Sequence, residues 1–229
     1  GLIPISTAGV SFGPGTVIAE VVKPFRVVAR DLDADGDLDV LATSHYGLLM
    51  LRNLGFGTSF SVEQVNQDLF EPAPISVADL NGDSYLDIFC FKNWWRNIDG
   101  TAVYGAKESL PAATSPRYQC AADMDGDGDV DLLWIGDGIF WYEHTTDDVA
   151  AWPGHKISDN SVGYLGTVGD LDGDDDPDIL SASTGGIRWY QNLAGDGSKW
   201  ADHIISPTEE FEAIILADMD MDDDLDICF

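Results

Sequence analysis

Residues 170–192 read DLDGDDDPDILSASTGGIRWYQN, and the two halves of that stretch obey different rules. In the first half carboxylates fall on alternate positions, at Asp170, Asp172, Asp174 and Asp176, and Asp178 closes the run. Alternate residues of a tight loop can turn their side-chain oxygens to one centre, and a donor set made only of oxygen suits a hard divalent cation. In the second half an apolar segment starting at Ile179 meets a Gly-Gly pair, and a second apolar segment ends in Trp-Tyr-Gln-Asn at 189–192. Two such runs around a glycine turn signal a β-hairpin. An acidic loop that feeds a hairpin is thus the expected unit.

The same unit recurs. DLDADGDLD occupies 31–39, DLNGDSYLD 79–87, DMDGDGDVD 123–131 and DMDMDDDLD 218–226. Aligned on the first aspartate, side-chain oxygen ligands fall at positions one, three, five and nine. They are Asp31, Asp33, Asp35 and Asp39; Asp79, Asn81, Asp83 and Asp87; Asp123, Asp125, Asp127 and Asp131; Asp170, Asp172, Asp174 and Asp178; Asp218, Asp220, Asp222 and Asp226. Position seven, occupied by Asp37, Tyr85, Asp129, Asp176 and Asp224, is expected to add a backbone carbonyl, which tolerates any side chain. One acidic run is ordinarily a solvated surface loop. Five in one register are not, because crowded carboxylates repel one another unless a cation neutralises them. His and Cys are missing from all five clusters, which argues against thiophilic metals. Ca²⁺ is the expected ion, about five per chain and one per repeat. Mg²⁺ is the competitor, disfavoured by its need for strict octahedral geometry and retained water. The second loop, with Asn81 for a carboxylate, should bind more weakly.

Composition agrees. Lys and Arg number 11 against 41 Asp and Glu, a formal charge of −30, which argues against a nucleic-acid partner. Of the 33 aspartates 25 lie in the five clusters, and without them the charge is only −5. At 45% hydrophobic and 10% aromatic residues the chain can build a core that a disordered acidic chain could not. No apolar run approaches the ~18–20 residues of a membrane-spanning helix, and residues after Gly1 show no signal-peptide pattern.

The first aspartates stand at 31, 79, 123, 170 and 218, a period of 44–48 residues. Around each loop the sequence predicts four strands. A first precedes the loop (25–29, 75–78, 118–122, 164–168, 213–217), and a second begins near its last aspartate (38–42, 178–181). A third follows at 48–53, 93–97, 139–144 and 187–192, and a fourth at 61–65, 155–158 and 203–206. No helix is expected. The period and strand count fit an all-β chain, a β-propeller of four-stranded antiparallel blades.

The D-x-[DN]-x-D-x-x-x-D loop, its following apolar strand and the later WYxN-like segment resemble FG-GAP/VCBS repeats, found in integrin α-subunit propellers and many secreted proteins. The resemblance covers essentially the whole chain, 1–229, taken as one domain. It departs at Met221, where a small residue is usual, and at His144, which replaces Asn. Residues 2–9 align with 48–55, so five blades are expected, the N-terminal strands completing the last. A five-repeat piece of a longer propeller is the alternative, since the resembling integrin modules have seven blades.

Trp94, Trp141 and Trp189 hold equivalent third-strand positions and are expected to pack between blades, as are Trp152 and Trp200. Trp95 and Trp134 have fewer counterparts and stand as candidate ligand contacts, together with the insertion-like segment 143–154. Cys90, Cys120 and Cys228 fall on predicted strands and read as buried small hydrophobes. The expected function is a noncatalytic, extracellular calcium-binding module for adhesion or recognition of protein or glycan, because moderate calcium sites fill where calcium is abundant. The resemblance implies the same. A rigid, self-assembling structural subunit is the alternative. A polysaccharide-degrading enzyme is less expected: no Gly-x-Ser-x-Gly or HExxH occurs, and Glu143–His144 stand where another repeat has Gln191–Asn192.

Overall fold

The structure is a computed structural model that describes residues 15, 17–21, 23–55, 59–68, 73–111, 115–159, 163–207, 213–222 and 224–229. Four sheets have four antiparallel strands each, hydrogen-bonded in chain order. The first comprises β1 (Pro24–Arg30), β2 (Asp39–Ser44), β3 (Gly47–Asn53) and β4 (Phe60–Asn66). The second comprises β5 (Ile75–Ala78), β6 (Asp87–Cys90), β7 (Asn93–Trp95) and β8 (Glu108–Ser109). The third holds β9 (Tyr118–Ala122), β10 (Asp131–Gly136), β11 (Gly138–Tyr142) and β12 (Gly154–Ser158). The fourth holds β13 (Gly163–Gly169), β14 (Asp178–Ser183), β15 (Gly186–Asn192) and β16 (Trp200–Ser206). A fifth sheet pairs β17 (Ile215–Ala217) with β18 (Asp226–Cys228). Residues 2–9, expected to complete this last sheet, lie outside the described residues.

First strands of successive sheets touch in series, β1 to β5, β5 to β9, β9 to β13 and β13 to β17, so the sheets are arrayed like propeller blades around their first strands. Each inner sheet is therefore covered on both faces. Strand alternation then sends neighbouring residues to opposite blades. On β10, Leu132 and Trp134 pack against Phe89 and Trp94 of the second sheet, whereas Leu133 and Ile135 join Ile179 and Tyr190 of the fourth. This is why the second strands read as unbroken apolar runs. Fourth strands lie at the rim and are mostly exposed or half-buried, as in β4 and β16.

The turn from second to third strand abuts the end of the fourth. A Cβ on Gly47 (φ +114°) would stand 2.0 Å from the Asn66 carbonyl oxygen, and one on Gly186 (φ +104°) 2.0 Å from that of Ser206. Only glycine meets both demands there.

Three expectations need correction. Trp95 and Trp134 are 2% and 0% exposed and belong to the core between blades, because their strand register points them at a neighbouring sheet. They contact no ligand surface. Cys228 is exposed at the end of β18, unlike buried Cys90 and half-buried Cys120; all three are free thiols. Segment 143–154 contains a short 3₁₀ turn, Val149–Ala151, and it buries Trp152, whose indole Nε1 donates to the Thr146 carbonyl at 2.7 Å.

Candidate metal centre

Every acidic loop joins a first strand to a second, so all five emerge at the same end of their sheets. Position one organises the loop. Asp31 accepts from the amides of Asp35 and Gly36 (3.2 and 3.0 Å), Asp123 from Gly126 and Gly128 (2.8 and 3.0 Å), and Asp170 from Gly173 and Asp175 (2.8 and 2.9 Å). Asp79 accepts from Asp83 and Ser84, and Asp218 from Met221. These bonds force the backbone into left-handed geometry at position four, held by Ala34, Gly82, Gly126, Gly173 and Met221 (φ +58° to +77°). That conformation explains the small residue usual there. Met221 adopts it at φ +64° with its side chain 89% exposed, so its bulk meets nothing.

Position five accepts from the amide of position seven in each loop: Asp35 from Asp37, Asp83 from Tyr85, Asp127 from Asp129, Asp174 from Asp176 and Asp222 from Asp224, at 2.9–3.1 Å. Position nine behaves differently. Asp39, Asp87, Asp131 and Asp178 are 0–1% exposed at the start of their strands. One oxygen of each accepts from the position-two amide (Leu32, Leu80, Met124, Leu171), at 2.9–3.4 Å. The other accepts from the last residue of the third-strand segment (Asn53, Asn97, His144, Asn192), at 2.7–2.8 Å. Asp226 makes the first of these bonds, to Met219. Sequence reading assigned position nine to the metal alone; the structure gives it a second duty, pinning the loop to the hairpin.

Ligand atoms converge. In Asp31–Asp33–Asp39, Asp123–Asp125–Asp127, Asp170–Asp172–Asp178 and Asp218–Asp220–Asp226 one oxygen from each residue lies within 4.8 Å of the others. Asp33 Oδ1 is buried with no hydrogen-bond partner among the described residues. In the second loop Asn81 donates to Asp83 at 2.9 Å instead. Four clusters of hard oxygen donors can thus hold a metal ion, and the donor chemistry fits a divalent cation of the Ca²⁺ type.

Burial has an electrostatic cost without such an ion. Desolvation pushes Asp87 up to about 6 and Asp131 to about 7, in spite of the backbone donors that favour their charged forms. Asp39 and Asp178 rise for the same reason, and Asp220 rises chiefly because Asp222 stands beside it. A carboxyl whose folded value exceeds its unfolded one stabilises the fold below the unfolded value, and that contribution is lost as pH rises through the folded value. Metal-free protein is therefore expected to melt at higher temperature at pH ~5 than at pH ~8, the loss spanning the window from about 4 to 7. Thermal melts in chelator check the sign; a melting temperature that falls on acidification contradicts it. In excess metal the trend should reverse, since protons compete with the cation for the same oxygens.

Blades with acidic loops at one end define the class: a β-propeller-like fold built from acidic-loop repeats. The chain belongs to the FG-GAP-like repeat family, whose model matches residues 31–90, 123–181 and 170–229. A search of curated protein sequences finds no match. Among solved structures the chain resembles an Agrocybe aegerita lectin described as recognising non-reducing terminal N-acetylglucosamine, with 20% identity and a TM-score of 0.64 over 91% of this chain and 60% of that one. It also resembles BBS1N, solved in complex with ARL6DN, with 13% identity and a TM-score of 0.55 over 87% of this chain and 60% of that one. The chain spans about 60% of the length of each, and at these identities the likeness is one of fold.

Among the described residues no helix is long and apolar enough to cross a membrane.

Proposed function

We propose that this chain is a noncatalytic recognition module that works outside cells, a propeller stiffened by calcium in its five loops and presenting its surface to a glycan or protein. The observation that carries the reading is the convergence of carboxylates in loops already shaped by their own backbone bonds. Such loops gain little from remaining empty and much from a cation. Moderate oxygen sites fill where calcium is plentiful, which supports an extracellular setting. The fold likeness to a lectin supports a glycan as ligand.

Catalysis is given no role in this reading. Glu143 and His144 do not form a pair: Glu143 Oε2 meets His155 Nε2 at 2.8 Å, while His144 stacks on Trp152. The Glu143–His155 contact repeats as Gln191–His203 in the next blade, at 3.2 Å, with each imidazole stacked on a third-strand tryptophan. A contact that survives loss of the carboxylate is packing between strands rather than proton-transfer machinery.

Native mass spectrometry of the pure chain tests the proposal, counting calcium ions while a panel of neutral and acidic glycans is titrated. About five ions and capture of one glycan class are expected. Absence of bound calcium at millimolar concentration, or turnover of any glycan, overturns it.

A further inference from the structure

The residue before the terminal Asn or His of each third-strand segment is arginine in the first two blades, Arg52 and Arg96, and Glu143 and Gln191 in the third and fourth. In the first and fourth blades this residue reaches position three of its own loop. Arg52 Nη1 donates to Asp33 Oδ2 at 2.8 Å, and Gln191 Nε2 donates to Asp172 Oδ2. Both loops gather positions one, three and nine, in the clusters Asp31–Asp33–Asp39 and Asp170–Asp172–Asp178, and the fourth carries one further carboxylate, Asp175, where the first has Gly36. They differ in what leans on them, a cation in one and a neutral amide in the other.

Arg52 is not a loosely placed side chain. Its guanidinium also donates to the carbonyls of Thr101 (2.8 Å) and Ala102 (3.3 Å) in the second blade and pairs with Glu63 Oε1 at 3.3 Å. Its side chain is 19% exposed. Held from four directions, it cannot swing aside without losing all of these bonds. It takes one oxygen of Asp33 and leaves the other, Oδ1, buried and unpartnered within the cluster. Gln191 takes one oxygen of Asp172 in the same way but brings no charge. A fixed positive charge one carboxylate away from a divalent cation opposes it strongly where water is scarce.

We infer that Arg52 acts as an internal counter-cation of the first loop and lowers its affinity for a divalent cation below that of the fourth. The inference rests on the reading of these loops as calcium sites. Calcium filling is accordingly stepwise: the fourth loop loads at lower free calcium than the first, and the bridge from Arg52 to the second blade persists in metal-free protein.

Exchange of the two residues tests it. Native mass spectrometry at graded free calcium reads the number of ions bound to wild type, Arg52→Gln and Gln191→Arg. Arg52→Gln should tighten one site by roughly tenfold or more, and Gln191→Arg should weaken one site by a similar factor. Arg52→Gln gives up its contacts to Thr101 and Ala102, so Gln191→Arg, made on a half-buried side chain, carries the test if the first variant folds poorly. Calcium bound identically by wild type and Gln191→Arg overturns the role of the cation while leaving the calcium reading intact. A wild-type chain that takes up no calcium overturns that reading itself.

Discussion

Excess EDTA at neutral pH is expected to lower the melting temperature by about 15–30 °C. At free calcium ten times its Kd each site contributes RT ln 11, about 1.4 kcal/mol, and five such sites about 7 kcal/mol. For a chain of this size each kcal/mol shifts the melting temperature by roughly 2–4 °C. The structure adds a reason for the loss to be this large: when the cation leaves, position-nine carboxylates such as Asp131 are buried without its charge, and exposed neighbours such as Asp220 and Asp222 face each other. Differential scanning calorimetry with and without EDTA, followed by back-titration with calcium, checks the shift and its reversibility. A melting curve that EDTA leaves in place would sink the structural role of the metal.

The second large effect separates two kinds of aspartate that share one motif. Asp131→Ala removes the acceptor of the Met124 and His144 amides, at 2.9 and 2.7 Å, and strands both N–H groups in a buried site. At about 1–3 kcal/mol for each unsatisfied donor, the variant should lose roughly 2–6 kcal/mol in chelator as well as in calcium. Asp127→Ala, at an exposed position five of the same loop, should lose its ion yet change metal-free stability by less than about 1 kcal/mol. Paired melts in EDTA and in calcium distinguish the outcomes. Equal losses for both variants in EDTA would remove the staple role from position nine.

Much of this was legible in the residues themselves. The repeated D-x-D-x-D loop and its spacing announced the blades, whereas the left-handed turn at position four emerged only from the structure. Position nine was legible as a carboxylate but not as a staple, because nothing local distinguishes Asp131 from Asp127; burial does, and burial comes from the neighbouring blades. Trp95 and Trp134 were misread because breaking the repeat's symmetry was taken as a sign of function. The better signal was alternation: Leu132 and Trp134 share one face of β10, and a residue sharing a face with core leucines is core. Arg52 and Gln191 gave no sequence sign, since their roles depend on the hairpin bringing the third strand back beside the loop.

His144 has a mechanical meaning. Asn97 of the second sheet donates through Nδ2 to the Leu32 carbonyl in the first blade's loop at 3.0 Å, and Asn192 of the fourth donates to the Met124 carbonyl in the third blade's loop at 3.2 Å. The third sheet has His144 at that position, its ring turned onto Trp152 and its Nδ1 buried without a partner among the described residues. The second and third blades are instead joined lower down, where Gln119 donates to the Phe89 carbonyl at 3.0 Å over a core rich in tryptophan. Among the first four blades, a load thus meets two joints pinned beside their loops, first to second and third to fourth, and one held within the sheets, second to third. Bending under load is therefore expected first at the joint between the second and third blades, where no side-chain tie from the third-strand segment reaches the neighbouring loop among the described residues.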